Sequence, residues 1–169
     1  MNVARPLVSQ PTYNILNRQV ETEHLPACAH YGLGVFPFSP LARGVLSAKY
    51  DPQGKPAADS RAGQADKRMM ETEWRPESLM LAREIQEHAK SRGMTAVQFA
   101  LAWVLNNRLI TGVIAGPRTM EQWLGYLPAL EATLSKEDEA FVDARVVAGH
   151  ASTPGYNDPA FPVEGRPTA

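Results

Sequence analysis

The chain has 169 residues, 44% hydrophobic and 21% charged, the balance of one ordinary domain that buries roughly 70% of its unfolded surface. Its 17 basic and 18 acidic residues give a net charge of -1 and are mixed along the chain, which points away from nucleic acid and from anionic membranes. No apolar run approaches the roughly 20 residues that span a bilayer, Met1 to Pro6 holds no apolar signal core, and a single cysteine, Cys28, excludes an internal disulfide and suits a reducing cytoplasm.

In chain order, the apolar opening Pro6 to Gln10 predicts a short strand that ends in a loop over Gln10 to Asn17. Glu21 to Tyr31 predicts a helix, with acids at its start and Gly32 as its stop. Leu33 to Phe38 predicts a second strand, and a helical crossover of that length implies parallel pairing. Residues 50 to 75 lack apolar periodicity and predict a long functional loop, ambiguous over Met69 to Trp74. Pro76 opens a strong helix whose Leu79, Ala82, Ile85 and Ala89 share one face, with Gly93 ending it. The capping box Thr95-x-x-Gln98 starts another helix through about Asn106. Leu109 to Ala115 predicts a third strand, Thr119-x-x-Gln122 caps the next helix, and Ser135 starts a short one through about Val146. Gly149 to Ala169, rich in Pro and Gly, predicts an irregular tail that wraps or frays. The expected class is α/β with about three parallel strands; residues 1–148 form one unit and 149–169 the tail.

The run Ser39-Pro40-Leu41-Ala42-Arg43-Gly44, continuing to Lys49-Tyr50, packs a proline, small residues and two cations into twelve positions. Such a loop bends tightly, brings backbone close to a ligand and offers charge to an anion. Gly116-Pro117-Arg118-Thr119 sits where a strand gives way to a helix, a place that favours an anion. The four histidines, His24, His30, His88 and His150, show no ligand spacing and predict no metal site. Cys28, Trp74, Trp103 and Trp123 read as packing residues.

With Gln10-Pro11-Thr12-Tyr13-Asn14-x-x-x-Arg18-x-x-Glu21, these motifs resemble the NADP-binding C-terminal half of the aldo-keto reductases, from Arg5 to the tail. The resemblance implies a partial TIM (β/α)8 barrel and NADP(H) as cofactor. Phe38 would stack on the nicotinamide ring and Gln10 would bond its carboxamide. Ser39, Pro40, Leu41 and Gly44 would wrap the pyrophosphate with Lys49 close by. Arg118 would clasp the adenosine 2′-phosphate, with Gly116 before it and Gln122 one turn on. Ser60-Arg61 resembles a pair that folds over the pyrophosphate in the branch related to potassium-channel β subunits. Arg18 and Glu21 read as a structural ion pair. Two departures stand out: Ala48 where the family more often has Gly, and Gly125-Tyr126 where many members carry Glu-Asn, leaving Tyr126 to stack on the base. The tail either lines a carbonyl pocket or covers the barrel floor.

The family's catalytic Asp, Tyr, Lys and His belong to its N-terminal half, and none of the five tyrosines here matches that motif. Three readings follow from the resemblance. The chain is a cofactor-binding portion, inactive alone and reducing small carbonyl compounds only when completed. Alternatively it is one chain of a split enzyme with an N-terminal-half partner, or a non-catalytic NADP-binding module that self-associates.

Overall fold

The computed structural model describes residues 4–162, 164 and 165; residues 163 and 166–169 of the expected tail and 1–3 of the expected main unit lie outside them. Strand β1 (Val8–Ser9) leads through a 3-10 turn (Gln19–Glu21) to helix α1 (His24–Tyr31) and strand β2 (Gly34–Val35). A second 3-10 stretch (Ala42–Ser47) precedes α2 (Lys67–Thr72), α3 (Pro76–Ser91), α4 (Ala96–Asn106) and α5 (Met120–Tyr126). A final 3-10 turn (Leu127–Leu130) and α6 (Lys136–Asp143) follow. The result is a mixed α/β chain with few strands and many helices. No helix among the described residues is long and apolar enough to cross a membrane.

β1 and β2 pair in parallel, Val8 opposite Gly34 and Ser9 opposite Val35, with α1 as the crossover. Gly32, left-handed at φ 70°, ends α1 where a side chain would be strained. The ladder between the two strands is interrupted at Pro11, which has no N–H to donate, and resumes as a parallel bridge between Thr12 and Phe38. The third strand expected over Leu109–Ala115 does not form. There Val35 N–H donates to the Thr111 hydroxyl at 3.0 Å instead of to a carbonyl. The Thr111 and Gly112 amides then share the one Val35 carbonyl. Only a parallel bridge between Phe38 and Ile114 survives on that side.

The helices keep closer to expectation. Pro76 sits in the first turn of α3, whose Leu79, Ala82, Ile85 and Ala89 are buried. The capping box of Thr95 and Gln98 opens α4, which is buried at Phe99, Ala100, Leu101, Ala102, Trp103 and Val104 and so lies at the centre of the molecule. The long loop over 50–75 contains α2, started by the Asp66 carboxylate accepting from the Met69 amide. The helix expected from Glu21 begins at His24, and the last one stops at Asp143. Cys28 and Trp103 are core residues, but Trp123 is 46% exposed. Its neighbour Leu124 is also exposed, as are Ile114 beside β2 and, at 76%, Leu7 at the other edge of the sheet.

Two polar clamps join distant segments. Arg18, only 6% exposed, donates to Glu21 at 3.0 Å, to Asp143 at 2.7 Å and to the Val146 carbonyl at 2.6 Å. Its amide bonds the His150 carbonyl, and Ser152 N–H reaches Leu16 O, so the start of the tail lies against the first loop. The second clamp is Asp138 of α6, fully buried. It meets His88 of α3 at 2.7 Å and Arg92 at 3.2 Å, while the His88 ring stacks on Phe141 with centroids 3.9 Å apart.

Burial pushes the Asp138 carboxyl up, but the Ser135 amide, His88, the Ser135 hydroxyl and Arg92 outweigh it and hold it below the usual carboxylate range. Its contribution is therefore complete above the unfolded value of about 3.9 and is lost as pH falls through the lower folded value. In urea unfolding, stability should fall between pH 5 and pH 3. Asp138→Asn should lower stability at pH 6 by about 3 kcal/mol, as for one partner lost from a buried pair, and should flatten that pH dependence. An unchanged pH profile in the variant would assign the acid sensitivity elsewhere.

Candidate functional site

The loop after β2 has an unusual backbone. Ser39, Ala42, Arg43 and Ala48 all have positive φ, between 47° and 56°, and Gly44 lies at 100°. A left-handed turn costs a non-glycine residue roughly 1–2 kcal/mol, so the surroundings must hold it. Gly44 N–H donates to Leu41 O at 2.8 Å, and Ser47 Oγ to Gly44 O at 2.7 Å. Ala42, Val45 and Leu46 anchor the loop in the core. The departure at Ala48 has a physical meaning here, since this left-handed position is one that glycine adopts without strain.

The remaining restraint is Asn14, fully buried in the loop after β1. Its Nδ2 donates to the Ser39 carbonyl at 2.9 Å. Its Oδ1 accepts from the amides of Leu16 and Asn17 at 2.9 and 3.1 Å. One side chain therefore shapes its own loop and fixes the start of the next.

Together these segments frame a cleft of about 330 Å³. It gathers Phe38, Ser39, Pro40, Leu41, Gly44 and Lys49 from the loop, Arg61 from the segment before α2, and Gly116, Arg118 and Gln122 from the approach to α5. Of the residues expected at a cofactor site, Gln10 alone lies outside the lining; it is exposed just past β1. Phe38 presents a partly open ring, 38% exposed, and is fixed by its amide bond to Pro11 O at 3.0 Å. Tyr126 and Val97 complete the wall.

Arg43, Lys49, Arg61 and Arg118 line this cleft, and no Asp or Glu does. Arg61 is tied to Asp66 at 3.3 Å, a weak exposed pair. Arg43, Lys49 and Arg118 have no ion-pair partner among the described residues. Sequence reasoning counted Arg43 only as one of the loop's two cations, with no specific contact, and gave Ser47 no role, although both lie within the motif it singled out. The approach to α5 is less open than the sequence suggests: the Arg118 amide is taken by Gln122 Oε1 at 2.7 Å. Anion recognition there falls mainly to the Arg118 side chain.

The tail also reaches this end. Tyr156, Asp158 and Phe161 line a neighbouring cavity that shares Phe38 with the cleft. Among the described residues, no three or more His, Cys, Asp or Glu gather where they could hold a metal.

A family model described as the aldo/keto reductase family matches residues 1–146. A protein described as a probable voltage-gated potassium channel subunit beta, from Oryza sativa subsp. japonica, is 35% identical over 78% of this chain and 40% of its own length. An uncharacterised oxidoreductase of Bacillus subtilis (strain 168) is 35% identical over 78% of this chain and 37% of its own. An L-glyceraldehyde 3-phosphate reductase of Escherichia coli O157:H7 is 35% identical over 85% of this chain and 42% of its own. The chain thus spans about two fifths of the length of these curated relatives.

Asn14→Ala removes three hydrogen bonds and leaves the Ser39 carbonyl without its side-chain donor. The expected loss is about 3 kcal/mol in urea unfolding, given roughly 1 kcal/mol per bond. Hydrogen exchange at the amides of residues 42–48 should speed up more than at those of α3. Equal acceleration at both would show that Asn14 supports the whole fold and not this loop in particular.

Proposed function

The chain belongs to the aldo/keto reductase family, and from that premise we propose that it is the NADP(H)-binding, C-terminal part of a carbonyl-reducing (β/α)8 barrel. The observation that carries this reading is the cleft itself: four cations, no carboxylate, and a partly open phenyl ring at one end. A dinucleotide phosphate needs that combination of charge for its phosphates and a flat apolar face for its ring.

In this reading Phe38 stacks on the nicotinamide and Gln10 approaches its carboxamide from the neighbouring strand. Ser39, Pro40, Leu41 and Gly44 bring backbone against the pyrophosphate, with Lys49 and Arg61 supplying charge. Arg118 takes the adenosine 2′-phosphate with its planar fork, and Tyr126 offers a face to the base. Bound NADPH would supply the hydride that turns an aldehyde or ketone into an alcohol. The residues named here hold and orient; the proton for the carbonyl oxygen comes from a catalytic acid outside this sequence, in the other part of the barrel. The apolar residues left exposed at the two edges of the sheet, Leu7 and Val8 on one and Ile114 on the other, support the pairing of further strands there.

Calorimetric titration with NADPH and NADH tests the reading. The chain should bind NADPH, and Arg118→Ala should weaken it by about 30- to 100-fold, roughly 2–3 kcal/mol for a charged hydrogen bond. NADH affinity should change less than threefold. Equal losses for the two would remove Arg118 from the 2′-phosphate, and no NADPH binding by the folded chain would remove the reading.

A further inference from the structure

The sheet runs from β1 to β2 and on to the segment around Ile114, all parallel, and so has two open edges. At the first, Leu7 and Ser9 turn their carbonyls to β2, so Val8 and Gln10 turn theirs outward by alternation. At the second, the Ile114 amide bonds the Pro37 carbonyl, and its neighbours Val113 and Ala115 turn their peptide groups outward. Each edge therefore offers N–H and C=O groups to a further parallel strand.

The two edges differ in what stands over them. Leu7 and Ser9 share one face of the sheet, and Ser9 Oγ meets His24 of α1 at 2.8 Å. Leu7 thus lies on the face that helices cover, yet it is open to solvent, as is Tyr31 at the end of α1. This edge has a strand with no helix over its outer side. At the other edge the helix is present and the strand is not. α5 packs on α4 and buries none of its seven residues. A right-handed crossover carries such a helix over the next strand position. Met120, Trp123 and Leu124 of α5 and Leu127 just after it, spaced i, i+3, i+4 and i+7, form an apolar stripe 37–70% exposed.

We propose that copies of this chain join head to tail, the β1 edge of one against the Ile114 segment of the next. The α5 stripe of that next copy then covers Leu7 and Tyr31 of the first. Each edge supplies what the other lacks, and none of the side chains brought together is charged. Side chains of this size leave on the order of 400 Å² open on each surface. Two such surfaces and the ladder between them reach the roughly 1,000 Å² of a specific interface. The contact is heterologous, a different surface on each partner. A second copy stands where the reading above puts further strands; no cofactor takes part, so either can fail without the other.

Sedimentation velocity of the whole chain, without cofactor, tests this. The wild type should exceed the mass of one copy and grow with concentration. Leu7→Glu and Leu124→Glu each spoil one edge, and each should sediment as a single copy. Mixed one to one, they should form a pair that stops at two copies, because each keeps one intact edge. Met80→Glu, exposed on α3 away from both edges, should behave as the wild type. Thermal melting checks that the variants are folded; should either fail, Tyr31→Glu replaces Leu7→Glu and Trp123→Glu replaces Leu124→Glu. A wild type that stays single at every concentration would overturn the proposal. So would dispersal by Leu124→Glu but not by Leu7→Glu, the mark of a twofold α5 contact. Folded variants that do not pair when mixed, or dispersal by Met80→Glu as well, would also overturn it, the last by showing unspecific adhesion.

Discussion

A single buried amide group sets the geometry on which the cleft depends. Asn14 closes its own loop with its oxygen and holds the Ser39 carbonyl with its nitrogen, and the left-handed run from Ser39 to Ala48 begins at that carbonyl. An isolated peptide would not keep so many non-glycine residues in that region, because each costs free energy that local bonds barely offset. The loop that carries Asn14 is in turn held elsewhere. Tyr13 packs against Trp103 of α4 with ring centroids 5.3 Å apart, and its hydroxyl accepts from Asn107 at 3.1 Å. Arg18 fastens the same loop to α6. Rigid helices therefore reach the cleft through this first loop.

Charge is arranged with comparable economy. The chain as a whole is almost neutral, so the cationic cleft is a matter of placement. Several acids are committed elsewhere: Glu21 and Asp143 to Arg18, Asp138 to His88 and Arg92, Asp158 to Arg68. Arg68 holds the Asp158 carboxyl below its ordinary range, whereas burial pushes the Glu73 carboxyl up against the pull of Arg75 and Arg43. The consequence is a local surplus of positive potential that net charge conceals.

The helical frame was legible because its signals are local. Pro76, Thr95 with Gln98, and Ser135 mark starts that the structure uses. The strands were less so: apolar runs promised five or more residues, and prolines together with the Thr111 hydroxyl cut the ladders short. α2 showed only as an ambiguity over Met69 to Trp74, because six residues hold too little periodicity and its Asp66 cap is a common loop residue. The motif contains most of the cleft residues, Arg43 among its two cations, but the left-handed backbone of Arg43 leaves no trace in the sequence. Gln10 shows the opposite case, a motif residue that the folded chain leaves outside the cleft lining. The role of the tail rests on Arg68 meeting Asp158, 90 residues apart, and no local rule reaches that far.

That separation of partners has a bearing on biosynthesis. Asn14 and Ser39 are 25 residues apart, so the bond between them becomes available early as the chain leaves the ribosome. Arg18 must wait for Asp143, 125 residues later, on the order of 6 to 25 s at 5–20 residues per second. For that interval the first loop is tethered to the second but not yet to α6, and its arginine is open to water. Until Asp143 is made, the nearby Glu21 carboxylate is the ion-pair partner within reach of Arg18.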